Sequence, residues 1–208
     1  FVASKGNPLL NPVVVAVGLL ITLLLVTGIS YKDYFAGGQF IHFLLGPATV
    51  ALAIPLYRQF SKLRKMLLPI TLTLLMGISI GCISAVLIAK GLGADKQTLL
   101  SLAPKSVTAP VAMGISERIG GLPSLTAVLV VTTGIIGSII GTKLFVLLRI
   151  RDDSVKGIAM GIAAHGIGTA RAFQISLEMG AFSGLAMALS AFVASLLVPW
   201  LLEWLKLV

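Results

Sequence analysis

Seven stretches rich in Leu, Ile, Val, Ala and Gly recur along the chain, near 12–30, 39–57, 66–90, 97–118, 122–148, 155–178 and 181–205. Short polar joints part them, among them Tyr31-Lys32-Asp33 and Arg149-Ile150-Arg151-Asp152-Asp153. Each stretch is close to the ~20 apolar residues a helix needs to cross a bilayer. Backbone groups in lipid must be bonded within protein, which leaves helices or closed barrels as spanning structures. Barrel strands alternate polar and apolar positions, whereas Val13-Val14-Val15-Ala16-Val17 does not. The pattern predicts an all-α, polytopic helical membrane protein.

The stretches differ in their centres. Those at 12–30, 66–90, 122–148 and 181–205 are plain, while three carry helix-breaking or polar residues: Gly46-Pro47-Ala48-Thr49-Val50, 103–110 and 164–171. Proline removes a backbone donor and glycine weakens a helix, so these three are expected to be broken or re-entrant. Interrupted backbone at membrane depth has to be buried in protein or line a cavity. Pro12 and Pro47 share the spacing of Pro69 and Pro104, and Pro47-x-Thr49-Val50 echoes Pro104-x-Ser106-Val107, which suggests an internal repeat.

Composition supports the membrane reading. The 208 residues are 57% hydrophobic and 11% charged, with a mean hydropathy of +1.06; a soluble domain carries roughly 25% charged residues. The net charge of +9 comes from basic residues gathered between apolar runs, as at Arg58, Lys62, Arg64 and Lys65. That is the arrangement of cytoplasmic loops and not of a nucleic-acid surface. Placing both 58–65 and 149–156 in the cytoplasm puts three apolar stretches between two loops on one side. One stretch must then enter and return, and 97–118 is the most polar and most broken. Trp200, Trp204 and Lys206 form an interfacial belt, and Gly134, Gly137, Ser138 and Gly141 allow close helix packing.

Candidate chemistry lies in the broken stretches. Lys105 sits between prolines with no carboxylate nearer in sequence than Asp95 or Glu117. A charge at such depth is retained for a cavity, a partner or a ligand, or else it snorkels to water. Arg171 closes His165-Gly-Ile-Gly-Thr-Ala-Arg171, and Glu178 is too distant for the usual one-turn pair. Unpaired N–H groups where a broken helix restarts attract anions. His165 either bonds a backbone carbonyl or exchanges a proton. One cysteine, Cys82, and two histidines, His42 and His165, leave no zinc cluster. No phosphate loop or nucleophile elbow appears, so no enzyme activity, metal or cofactor is expected.

The strings Pro104-Lys-Ser-Val-Thr-Ala-Pro-Val-Ala, Ile119-Gly-Gly-Leu-Pro-Ser-Leu-Thr-Ala, Ala164-His-Gly-Ile-Gly-Thr-Ala-Arg171 and Gly180-Ala-Phe-Ser-Gly-Leu-Ala-Met resemble the LrgB/CidB family over nearly the whole chain. The resemblance implies one transmembrane domain over 1–208. It also implies a further N-terminal helix, absent here before the stretch matching Asn7-Pro8-Leu9-Leu10-Asn11-Pro12. Bacterial members are holin- or antiholin-like modulators of murein hydrolase activity and autolysis that act with a small LrgA/CidA-type membrane partner. Related members, including the plastidial glycolate/glycerate transporter, move small 2-hydroxy or 2-oxo carboxylates. The expected setting is a bacterial inner membrane or a plastid inner envelope, as a homo-oligomer.

Two readings follow. In the first, the chain transports small monocarboxylates of the glycolate, glycerate and pyruvate class: Lys105 and Arg171 meet the carboxylate, Ser106, Thr108 and Thr169 reach the adjacent oxygen, and His165 bonds or exchanges a proton. The first is the main expectation; in the alternative, it is a non-transporting regulator of lysis that assembles pores or tunes another pore.

Overall fold

The apolar stretches and their joints become ten helices among the residues described by the computed structural model, which are 12–51, 53–58 and 60–207. The stretch Asn7–Asn11, noted above for the family match, lies outside them. The chain groups into two units, one ending at Ile54 and one starting at Pro55. In the first unit, α1 spans Pro12–Thr27 and α2 spans Tyr31–Ala51. Ser30 starts α2: its hydroxyl accepts from the Asp33 N–H at 3.2 Å and donates to Asp33 Oδ2 at 2.7 Å. The break expected at Gly46–Val50 does not occur, since α2 runs through it to Ala51. The φ fixed by proline is itself helical, so one proline can remove a single bond and leave the helix running. The proline correspondence therefore pairs a continuous helix with a broken segment.

Beyond the short helices α3 (Ala53–Arg58) and α4 (Phe60–Lys65), three helices are long and apolar enough to cross a membrane: α5 (Leu67–Gly91), α8 (Pro123–Leu147) and α10 (Leu177–Trp204). These are three of the plain stretches. At 1.5 Å per residue α5 and α8 are each about 37 Å long. They turn Leu72, Met76, Ile80, Ile88, Val128, Ile136 and Ile140 outward, as lipid-facing helices do. Between them the chain forms α6 (Lys96–Leu102) and α7 (Ala109–Ile119), both too short to span.

The 97–118 stretch enters and returns. Lys62 Nζ lies 3.2 Å from Asp152 Oδ2 and 2.7 Å from Glu178 Oε1, so the two basic loops meet at one end of the second unit. α5 leaves that end and α8 comes back to it, so 92–122 begins and finishes at the opposite end. Its base is closed by hydroxyls. The Leu122 N–H donates to Ser101 Oγ at 2.8 Å, and the Thr126 hydroxyl lies 2.9 Å from the Ser101 carbonyl and 2.7 Å from Ser116 Oγ. Ser101, Ser116 and Thr126 are all fully buried. Leu100, Ala103, Val107, Ala112, Ile115 and Ile119 of this hairpin share an apolar core with Ile78, Cys82 and Val86 of α5, Val130 of α8 and Ala194 and Val198 of α10.

The 155–178 stretch also turns back, which its sequence did not reveal. α9 (Asp153–Ile175) is interrupted at His165, where φ is 39° and ψ is −132°. A straight helix of 23 residues would be about 33 Å long. Yet Ser176 Oγ donates to Asp153 Oδ2 at 2.7 Å, joining the two ends. A Cβ on Gly168 would stand 2.9 Å from the Met160 carbonyl oxygen, eight residues back. The halves 153–164 and 166–175 are therefore the arms of a second hairpin, which enters from the lysine-rich end. Gly157 and Gly161 let its first arm lie on α10, where a Cβ on either would come within 2.3 Å of the Met179 or Ser183 carbonyl oxygen.

Two measurements check this arrangement. In a Cys82→Ala background, cysteines at the exposed positions Ser61 and Arg151 are expected to react with an impermeant thiol reagent from one side, and a cysteine at Ser124 from the other. The second concerns Asp152, whose carboxyl is held at about 2, from an ordinary 3.8, by the Ser154 hydroxyl first and then by Lys62 and two backbone N–H groups. A depressed folded-state value means that this stabilisation is present above the ordinary value and is lost as pH falls toward about 2. Asp152→Asn is expected to lower the melting temperature at neutral pH and to flatten its acid limb.

Candidate functional site

The tip of the first hairpin is the turn Pro104-Lys105-Ser106-Val107. Asp95 caps α6 by accepting from the Thr98 N–H at 3.0 Å, and Pro104, without an N–H, ends its ladder. Thr108 is the N-cap of α7 at φ −61° and ψ 143°, with Pro110 in the first turn, but its hydroxyl makes no capping bond. α7 stops at Gly120, in the left-handed conformation at φ 86°. A Cβ on Gly81, in the middle of α5, would stand 3.9 Å from Ser106 Oγ, so the tip reaches about half-way along that helix.

His165 makes the tip of the second hairpin. Its φ lies in a region L-residues rarely adopt, at a cost of order 1–3 kcal/mol. Tertiary bonds hold it there. The ring Nε2 donates to the Val130 carbonyl at 2.9 Å, and the Thr169 hydroxyl donates to the His165 carbonyl at 2.8 Å. Thr169 Oγ1 also meets Ser183 Oγ at 2.9 Å. Gly134 makes room for the ring, since a Cβ there would come within 2.6 Å of His165 Cε1.

Among the six candidate residues, hydrogen bonds join Lys105 to Ser106 and Thr169 to His165, and none joins these pairs to each other, to Thr108 or to Arg171 among the described residues. Lys105 is half-buried and its Nζ donates to Ser106 Oγ at 3.3 Å. No carboxylate pairs with it among the described residues. Val130 brings the two tips together, packing with Ala103 and Val107 of the first while its carbonyl receives His165 of the second. Thr108 is half-buried at the start of α7. Thr169 continues from His165 into the second arm. Arg171 follows two residues later, about 200° round that helix from Thr169. It donates to Gln174 Oε1 at 3.0 Å, and no hydrogen bond or ion pair joins it to Lys105 among the described residues. A groove lined by Val111, Gly114, Ile115, Arg118, Ser195 and Pro199 contains none of the six.

Sequence reasoning passed over Ser183, the Val130 carbonyl and the Ser101, Ser116 and Thr126 hydroxyls. Each gains its partner only when distant segments meet, and none stands in a pattern that marks it.

The LrgB-like family profile matches residues 2–204, nearly the whole chain. The chain belongs to the LrgB-like family. Holin-like protein CidB of Staphylococcus epidermidis is 38% identical to this LrgB-like chain over 197 residues, covering 95% of the chain and 86% of that protein. CidB of Staphylococcus aureus is 37% identical over 196 residues, covering 94% and 86%. The uncharacterized protein YwbG of Bacillus subtilis is 40% identical over 194 residues, covering 93% and 86%. No solved structure matches.

The contact between Gly134 and His165 yields a prediction. Gly134→Ala drives a methyl into a buried ring and is expected to destabilise the LrgB-like chain by about 1–3 kcal/mol, despite the better helix propensity of alanine. Gly114→Ala, with nothing within 4 Å of the new Cβ, should match or exceed wild type. Melting in detergent compares the two.

Proposed function

We propose that this LrgB-like chain acts as a holin-like membrane protein, modulating murein hydrolase activity and autolysis from a bacterial inner membrane beside a small LrgA/CidA-type partner. The observation that carries this reading is the alignment of relatives named holin-like over 95% of the chain at 38% identity. It fits a helical membrane protein with three spanning helices among its described residues.

A specific observation favours a second reading, transport of small 2-hydroxy or 2-oxo monocarboxylates such as glycolate, glycerate and pyruvate. Lys105 stands at a broken, re-entrant tip beside a second tip and has no carboxylate partner among the described residues. A bound carboxylate completes that cation. Ser106, Thr108 and Thr169 surround the neighbouring oxygen, and His165 holds or exchanges a proton. Arg171, on the other face of the same arm, draws the anion in before it binds. This second reading suits a plastid inner envelope as well as a bacterial membrane.

Uptake into proteoliposomes separates the readings. Wild-type protein is assayed with labelled glycolate, glycerate and pyruvate, and lysis is followed in cells lacking the native family member. Saturable uptake supports transport, while altered autolysis without uptake supports the holin-like reading alone. On the transport reading Lys105→Ala loses one charged hydrogen bond, ~1.5–3 kcal/mol, and roughly ten- to a hundredfold in affinity. Arg171→Ala should instead slow uptake, most at low salt, with affinity kept. Lys143→Ala, at an exposed position on α8, should change neither.

A further inference from the structure

Hydroxyls in a membrane helix ordinarily donate to a carbonyl one turn back. Here Ser138 donates to Ile135 at 2.8 Å, Thr142 to Ile139 at 3.1 Å and Ser195 to Phe192 at 2.7 Å. Ser190 does not. It is 1% exposed, and its Oγ is the buried side-chain polar atom without a hydrogen-bond partner among the described residues. An orphan of this kind calls for an explanation, because leaving it unpaired is costly.

Its place on α10 supplies one. Ser190 follows Met187 by three residues and precedes Ala194 by four, so all three lie on one helix face. Met187 Sδ is 3.9 Å from Thr169 Oγ1 and would be 3.8 Å from a Cβ on Gly166, at the His165 tip. Ala194 packs in the core that holds Cys82, Ala103 and Val107, at the Lys105 tip. Ser190 is thus about one helical turn from each and lies at the level where the tips face each other. Two half-helices begin there, α7 with 11 residues and the second arm of α9 over 166–175. Their first N–H groups and dipoles favour an anion, and the unclosed Thr108 cap leaves those of α7 available.

We infer that Ser190 is a specificity-determining residue of an anion site between the two hairpin tips, whose occupant is a small carboxylate bearing a hydroxyl or keto oxygen on the adjacent carbon. The inference rests on the transport reading above. The carboxylate is held by Lys105 and the start of α7, and the Ser190 hydroxyl joins Ser106, Thr108 and Thr169 around the second oxygen. A plain carboxylate fills the first position but leaves Ser190 unpaired, which is how a buried polar group rejects an analogue lacking its partner.

Binding of glycolate and of acetate to the purified chain in detergent tests this, with melting followed in parallel. Wild type is expected to prefer glycolate by about tenfold or more. Ser190→Ala should cut that preference by about fivefold or more, leave acetate affinity unchanged and keep the melting temperature, because an unpaired group is removed. Ser190→Cys, close in size with a weak donor, should also cut the preference and serves if the alanine protein is poorly produced. A wild-type glycolate-to-acetate ratio in either folded variant overturns the role of Ser190 and leaves the transport reading standing. Failure of wild type to bind glycolate, pyruvate or acetate overturns both.

Discussion

A backbone that reverses direction inside a bilayer must bring its own hydrogen-bond partners, since each unmet N–H or carbonyl costs several kcal/mol in hydrocarbon. Both hairpins of the second unit answer to this requirement. The turn at 103–107 is walled by α5, α8 and α10, with Ala103 and Val107 almost fully buried. The reversal at His165 rests on the Val130 carbonyl and the Thr169 hydroxyl. Remove those supports and a strained corner of positive φ is left facing an apolar core. The three long helices therefore serve the two interrupted ones.

Sequence revealed the long helices because α5, α8 and α10 need only length and hydropathy. The interruption at 103–108 was visible in Pro104 and Pro110, and its return in the charges of the flanking loops, whose contact through Lys62 and Asp152 agrees with it. The return of α9 was hidden. Gly166 and Gly168 signal a break, but a kinked span and a hairpin share that signal, and the Asp153–Ser176 bond that decides between them joins two polar residues with no distinctive spacing. Gly46-Pro47 misled, because proline breaks a helix only where the lost bond cannot be absorbed. At the site, adjacency sufficed for Lys105 and Ser106. Arg171 and Thr169 looked like neighbours in the sequence, yet helical geometry points them apart. Ser183 and Ser190 were unremarkable until α10 was laid beside the tips.

The hairpins enter from opposite ends, and each tip carries one helix end of each polarity. Opposed interrupted helices that meet near the middle of a membrane are a recurring plan for binding a solute reached from either face. In this chain the meeting point holds a cation, a histidine and hydroxyls, while the exposed sides of α5, α8 and α10 are mainly aliphatic. The cation and the histidine thus lie at the junction that the two broken helices create.

The bases of the two hairpins are fastened by different physics. One is sealed by the hydroxyls of Ser101, Ser116 and Thr126, fully buried inside the protein where dissolved ions do not penetrate. The other combines the Ser176–Asp153 hydrogen bond with an ion pair between Lys62, whose side chain is 37% exposed, and Asp152, which is 49% exposed. Attraction between such exposed charges is screened over about 8–10 Å at ordinary ionic strength. Electrolyte therefore loosens one fastening and leaves the other untouched. The protein is thus fastened dry at one end of the second unit and wet at the other, so only one of the two fastenings senses the salt of the compartment it faces.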